Sequence, residues 1–410
     1  MEAKLKTFKE ECAKECDNIL TWWEKNTLDE ENGGFIGQID FDMTKHPEAD
    51  KAIVSNSRLL WTFSAAYRVF KKPEYLELAC RSYEYLSKYF IDRKNNGLYW
   101  MVDKTGKPVN TRNQIFGLVF MDCVLAEFYR VTKKKEALDL AMLLFDSVEK
   151  HALDPKYNGY LDAFAQDWSN LEDMRLSPTD KNEPKTMNTH LHVLIGYANL
   201  YRVHKDERVQ KALKNIIELF LDKIIDTERG ALKLFFDVDW TLKSDNDSYG
   251  HDVETSWLLW DAVNVLGDEE LIKKAKPIVI KLVDHSLKCA YDKDGGLMSN
   301  GKDDKVADTD KGWWAQTETV IALMNTYQLT KDEKYLEDAL LTWDFIKKYM
   351  IDHKDGEWHG KVSKDDHKPY TEEVKVGAWK CPYHNSRMCM EVMERVDEIL
   401  AEKILSKHLK

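Results

Sequence analysis

The sequence predicts an all-α protein folded as an (α/α)6 barrel, six inner helices enclosed by six outer ones. Three observations carry the prediction. One kind of turn recurs six times, each turn lies between two helical patterns, and every second pattern is apolar nearly all round. An open helical solenoid also stacks helix pairs, but six near-equal repeats without polar end caps favour closure into a ring. The 410 residues hold only 9 prolines and 18 glycines, with no Pro-, Ser- or Gly-rich linker, so residues 1–410 are expected to form a single catalytic domain.

The turn consists of an acidic residue, a short polar stretch, a glycine and then a hydrophobic or aromatic residue. Its copies begin at Asp29, Asp92, Asp154, Asp226, Asp292 and Asp352. Taking Gly34, Gly97, Gly159, Gly230, Gly296 and Gly356 as markers, the intervals are 63, 62, 71, 66 and 60 residues. The segments before the turns are amphipathic. Pro73 to Tyr89 places Leu76, Ala79, Tyr83 and Leu86 on one face, and Glu333 to Tyr349 does the same with Leu336, Ala339, Leu340, Trp343 and Ile346. These read as outer helices, wet on one side. After a polar loop come more apolar segments: Ser57 to Phe70, Gln114 to Tyr129, Met187 to Tyr201, Asp252 to Leu266, Trp314 to Tyr327 and Tyr383 to Val396. These read as inner helices, and in a closed ring their N-termini share one mouth.

Composition narrows the function. At 43% hydrophobic and 32% charged residues the chain is globular, and its net charge of −12 is spread without a basic stripe, which argues against nucleic acid and anionic membranes as partners. No window approaches about 18 uninterrupted apolar residues, and the N-terminal stretch lacks the apolar core of a secretion signal, so a cytoplasmic monomer is expected. The seven cysteines are scattered without paired spacing and read as reduced thiols.

Polar residues cluster where the inner helices begin. Ser57-Arg58 opens the first and Asn113-Gln114 with Phe116 the second; Asn188 and His192 lie in the third. His251 and Glu254 begin the fourth, Trp313, Trp314 and Glu318 the fifth, and Tyr383-His384 with Arg387 the sixth. Indoles stack on sugar C–H faces, amides and carboxylates bind hydroxyls, histidines titrate near neutrality, and a permanently charged arginine can hold an oxyanion. Together they suggest proton transfer on a sugar. Each also has a structural reading: a histidine as a cap, Trp313-Trp314 as core, and Glu254 or Glu318 as a brace for Arg58 or a histidine. A metal reading of His190 and His192 is disfavoured, because residues two apart on a helix point away from each other. His285, His353, His359 and His367 fall in outer or loop segments and are expected to be solvated.

The strings Asn56-Ser57-Arg58-Leu59-Leu60-Trp61, Lys185-Thr186-Met187-Asn188, Ser248 to Glu254, Trp313 to Glu318 and Trp379 to Asn385 resemble, in order and across nearly the whole chain, the cellobiose 2-epimerases of the N-acylglucosamine 2-epimerase superfamily. The resemblance implies an (α/α)6 barrel acting without a cofactor or metal on a small-molecule disaccharide. It implies epimerisation of the reducing-end glucose of cellobiose, lactose or mannobiose-type β-1,4 disaccharides at C2 through a cis-enediolate. By the same resemblance, His251 and His384 are the acid/base pair and His192 is a third histidine at the reacting sugar. Arg58 steadies the enediolate, Asn188, Glu254 and Glu318 give polar support, and Trp314 and Trp379 are platforms for the sugar rings. Phe116 stands where relatives commonly carry tyrosine, and Ala378 where proline is usual. An aldose–ketose isomerase of the same superfamily is the nearest alternative, followed by an (α/α)6 glycoside hydrolase using paired carboxylates.

Overall fold

The computed structural model describes residues 1–408 and contains twelve α-helices among them. They are α1 (Glu2–Thr27), α2 (Ile53–Phe70), α3 (Pro73–Tyr89), α4 (Ile115–Thr132), α5 (Lys135–His151) and α6 (Met187–Val203), then α7 (Glu207–Leu219), α8 (Tyr249–Leu266), α9 (Glu269–Ala290), α10 (Trp313–Thr330), α11 (Glu333–Phe345) and α12 (Tyr383–His408). The even-numbered helices contact one another in sequence, and α12 returns to contact α2. That last contact closes the ring and excludes the open solenoid. Each inner helix carries one outer helix, α3 on α2 through α11 on α10, while α1 covers α12. The first helix thus completes the last repeat. The seam is tied by Trp23 Nε1 donating to Glu357 Oε2 at 2.7 Å and Trp358 Nε1 donating to Glu15 Oε1 at 2.7 Å.

Burial separates the two layers as the patterning requires. In α4 every residue from Ile115 to Phe128 is buried, whereas α3 buries Tyr75, Leu78, Ala79, Ser82, Tyr83, Tyr85 and Leu86, the stripe of a helix packed on one side. The inner helices begin three or four residues earlier than the sequence suggested in two places. The first starts at Ile53 rather than Ser57, putting Arg58 in its second turn, and the fourth starts at Tyr249 rather than Asp252. Short antiparallel ladders of two to four residues, absent from the all-α expectation, lace the loops at the mouth.

The recurring turn positions the inner helices. In the first, third, fifth and sixth copies a buried lysine, Lys51, Lys185, Lys311 or Lys375, bonds the turn's leading aspartate at 2.6–2.9 Å. Lys51, Lys185 and Lys311 each sit two residues ahead of their helix. In the fourth copy the charges are exchanged: Asp247, again two residues ahead of its helix, accepts from Arg229 of the turn at 2.7 Å. In the second, Asn113 takes the place, and its Oδ1 accepts from Leu98 N at 3.0 Å. Gly97 is required there by close approach, since a Cβ would lie 2.3 Å from that oxygen. Gly159 is held by conformation as well, at φ 81°.

Candidate active site

The sequence-predicted residues converge at the N-terminal ends of the inner helices. His251 and His384 both lie against Trp314, with ring centroids 4.8 and 6.0 Å from the indole. His192 packs on Phe116 at 3.8 Å and on Phe120 at 5.6 Å, and Phe116 meets Trp379 edge-on at 5.5 Å. Trp313 stands edge-on to His384 at 6.2 Å. Trp313, Trp314 and Trp379 are half-buried, so none is plain core.

The three histidines each commit Nδ1 to the protein and leave Nε2 for a ligand. His192 Nδ1 donates to Asn188 O at 2.9 Å; a carbonyl only accepts, so the proton sits on Nδ1 and Nε2 is basic. His384 Nδ1 donates to Glu318 Oε1 at 2.6 Å, with the same consequence. His251 Nδ1 meets Ser248 Oγ at 2.7 Å, and a hydroxyl can take either role, so this ring can present a basic Nε2 or an Nε2–H. Burial holds all three neutral. It lowers His251 to about 4 and His384 to about 3, and with the nearby Arg58 charge keeps His192 well below the usual histidine range.

Two arginines flank the histidines, and their partners differ. Arg387 NH2 donates to Glu254 at 3.1 Å and Glu318 at 2.6 Å, and Trp257 Nε1 also donates to Glu318 at 2.9 Å. Arg387 and His384 hold the Glu318 carboxyl below its ordinary range despite burial, while burial and the neighbouring Glu318 charge raise Glu254. Arg58 is buried and, among the described residues, pairs with no carboxylate. It reaches Trp379 O at 3.4 Å and lies 5.2 Å from the Tyr383 ring centroid. Its Nε, Asn188 Oδ1 and Trp313 Nε1 are buried without hydrogen-bond partners. An unneutralised guanidinium whose own Nε is orphaned suits an anionic species.

A recess of about 450 Å³ opens beside His251 and Asn188, rimmed by Arg175–Leu176, Asn246–Ser248 and Asn300–Lys302. Its walls come from the loops before α6, α8 and α10. The ligand atoms of Glu254, Glu318 and His384 lie within 4.8 Å of one another, close enough to hold a metal, but Arg387 bonds both carboxylates and supplies the positive charge there.

Three sequence expectations need correction. His285 is buried and bonds Asp304 at 2.9 Å instead of being solvated, because a hairpin folds back over α9. His359 and His367 are half-buried: His359 stacks on Phe41 at 5.5 Å, and His367 stacks on Tyr349 at 4.0 Å and bonds Asp294 at 2.7 Å. Sequence reasoning also passed over Ser248, three residues before His251 on the same face, and Trp257, three residues after Glu254. Arg387 was noted only as standing with Tyr383 and His384 at the start of the sixth inner helix. The i, i+3 spacing was the available signal for all three. His190 belongs to the scaffold, donating from Nδ1 to Thr186 O at 2.7 Å and accepting Tyr160 N at 2.9 Å.

Comparison with known proteins places this arrangement among sugar epimerases. The family described as N-acylglucosamine 2-epimerase (GlcNAc 2-epimerase) matches residues 34–387. A cellobiose 2-epimerase of Bacteroides fragilis is 42% identical over 393 residues, covering 94% of this chain and 98% of the relative. One from Ruminococcus albus is 40% identical over 380 residues, covering 92% and 96%. The structure of cellobiose 2-epimerase from Bacillus thermoamylovorans superposes with a TM-score of 0.91 at 40% identity, covering 95% of this chain and all of that one. Among the described residues no helix is long and apolar enough to cross a membrane. With a matched segment that takes in all six inner-helix N-termini, the chain belongs to the N-acylglucosamine 2-epimerase family.

Proposed function

We propose that this chain is a carbohydrate 2-epimerase of cellobiose 2-epimerase type, interconverting glucose and mannose at the reducing end of β-1,4-linked disaccharides. Relatives at 40–42% identity over nearly the full chain carry that activity in their names. The observation that carries the reading is the pair of neutral histidines, His251 and His384, on one indole beside the uncompensated Arg58.

The sugar ring opens first, because only the acyclic aldehyde makes the C2 proton acidic. His192 contacts the reacting end during opening. His384, its tautomer fixed by Glu318, takes the C2 proton on Nε2, and the electron pair moves into a cis-enediolate whose oxygen faces Arg58. As the enediolate charge builds beside it, His251 takes a proton from solvent, its Nδ1–H then donating to Ser248 Oγ, and delivers the Nε2 proton to the opposite face of C2, which returns the ring to its neutral form. In the reverse direction the two rings exchange roles, and proton exchange with solvent resets them. Trp314 and Trp379 support the two sugar rings, while Asn188, Glu254 and Trp313 bind or position hydroxyls. No redox cofactor or metal enters this sequence.

The test is turnover of cellobiose in D₂O followed by NMR. Glucosyl-mannose carrying deuterium at C2, with its glycosidic linkage intact, is the expected product. A ketose alone would establish reprotonation at C1, and free glucose would establish hydrolysis; either overturns the proposal.

A further inference from the structure

Behind the rim of the recess, where α9 meets the hairpin that follows it, a second cluster of ligand-type side chains has no role in the chemistry above. His285 and Cys289 are one helical turn apart on α9 and face the same way. Asp304, at the tip of the hairpin Asn300–Lys302/Lys305–Asp308, folds against them. We propose that His285 Nε2, Cys289 Sγ and the Asp304 carboxylate form a binding site for a zinc-class divalent cation, with solvent completing the coordination.

The geometry supports three ligands on one ion. Tetrahedral zinc with Zn–S of about 2.3 Å and Zn–N of about 2.0 Å sets the sulfur and nitrogen ~3.5 Å apart. Cys289 Sγ and His285 Nε2 stand 3.6 Å apart. Asp304 Oδ1 is 2.9 Å from the same nitrogen, and all three ligand atoms lie within 4.8 Å of one another. Asp303 and Asp304 adopt left-handed conformations at the exposed hairpin tip, where a displacement of a few tenths of an ångström meets little packing resistance.

The surroundings resemble the outer shell of a histidine-ligated metal. His285 Nδ1 lies 3.8 Å from Asp252 Oδ2, and both atoms are buried without a hydrogen-bond partner. A small rotation of the ring as Nε2 takes an ion brings Nδ1–H onto that carboxylate, the arrangement that fixes the tautomer of metal-bound histidines. Among the described residues Asp247, Asp252 and Asp304 meet one guanidinium, Arg229, which bonds Asp247 and Asp304, and the His285 ring beside Asp252 and Asp304. Carboxylates therefore outnumber guanidinium here, unlike the Glu254–Glu318 pair with Arg387. Asn300, Gly301, Lys302 and Ala307 of the same hairpin line the recess beside His251, so a bound ion ties the rim of that recess to α9.

Cobalt serves as a spectroscopic probe for the site. The reduced full-length protein, stripped of metal by a chelator, is titrated with Co²⁺ and followed in the near ultraviolet. A thiolate-to-cobalt band saturating at a single equivalent, and bleached by Zn²⁺, is the expected result. Cys289→Ser should abolish it; Cys80→Ser, changing the other cysteine that is not fully buried, should leave it. Asp304→Asn, at an exposed position that does not threaten folding, should weaken Co²⁺ binding at least ~10-fold. The proposal is overturned if no band appears, if the band survives Cys289→Ser, or if Asp304→Asn binds Co²⁺ as tightly as the parent.

Discussion

Replacing Glu318 by glutamine separates a catalytic brace from a structural one. The carboxylate accepts three hydrogen bonds, from His384 Nδ1 and Arg387 NH2 at 2.6 Å and from Trp257 Nε1 at 2.9 Å. Glutamine keeps the shape and one accepting oxygen, but its NH₂ faces a group that itself donates. With its oxygen toward His384 and Arg387 the amide keeps the tautomer but lacks the negative charge that steadies the imidazolium formed on taking the C2 proton, and with its oxygen toward Trp257 the NH₂ meets two donors and drives His384 to the tautomer with its proton on Nε2, which is no base. A buried carboxylate fixing a catalytic histidine's tautomer is worth up to about 10⁴-fold, and a positioned proton transfer about 10²–10⁴-fold. The expected loss in kcat is therefore about 10²–10⁴-fold, or ~3–5 kcal/mol of barrier. Stability falls less than the ~3–5 kcal/mol of an orphaned buried charge, because Arg387 keeps Glu254 at 3.1 Å. Initial rates of mannose-end formation from cellobiose, with thermal melts as the folding control, decide the matter. A folded variant retaining kcat within about threefold of the parent refutes the brace and leaves Glu318 a purely structural partner of Arg387.

The remaining expectations concern pH, the lysine latches and a helix end. Burial holds His251 at about 4 and His384 at about 3, so the neutral, proton-accepting rings persist as pH falls past the ordinary histidine value of about 6.5, and kcat/KM is lost only as pH drops through about 4. A half-loss near 6.5 in the pH profile would contradict the buried setting. Lys185→Met removes a cation that bonds Asp154 Oδ2 and Asn158 O, each at 2.7 Å, and leaves the turn's aspartate unpaired. Urea unfolding should show a loss of about 3 kcal/mol, and a loss below ~1 would mean the latch is idle. Lys133 ends α4 in the left-handed conformation at φ 57°, the place Gly267 holds after α8 at φ 77°. Lys133→Gly should raise stability by about 0.5–1 kcal/mol, and an unchanged or lower unfolding midpoint counts against strain there.

The twelve helices were legible because the turns punctuate the chain and the two layers differ in polarity along their whole length. What stayed hidden depended on contacts made across the sequence. The start of α2 was read four residues late because Lys51-Ala52 enters a ladder with Val102 and Met101, a pairing that two residues cannot announce. Arg387 was visible as a neighbour of His384, but its carboxylate partners stand 69 and 133 residues away, so its role as the counter-charge of the site was not. His285 looked solvated because the residue that covers it arrives 19 residues later, on the hairpin tip.

The convergence of the site follows from the way the repeat uses the first turns of each inner helix. Residues two apart on a helix point about 200° apart, to nearly opposite sides. In α6 the outward residue is His190, which accepts Tyr160 N of the glycine turn, and the inward one is His192. In α8 Asp252 accepts Leu232 N while Glu254 meets Arg387, and in α10 Gln316 accepts Leu297 N while Glu318 meets His384. In α12 Asn385 bonds Glu357 of its turn while Arg387 faces the carboxylates. The string Asn385-Ser386-Arg387 has a double in Asn56-Ser57-Arg58, whose arginine also turns inward although Asn56 bonds its own helix at Ala52 O. One residue thus anchors the helix to its turn, and the anchor fixes the rotation at which the residue two places on enters the cavity. The polar–X–polar spacing that looked like a poor metal motif at His190-Leu191-His192 is the device by which separate repeats turn polar groups into one cavity.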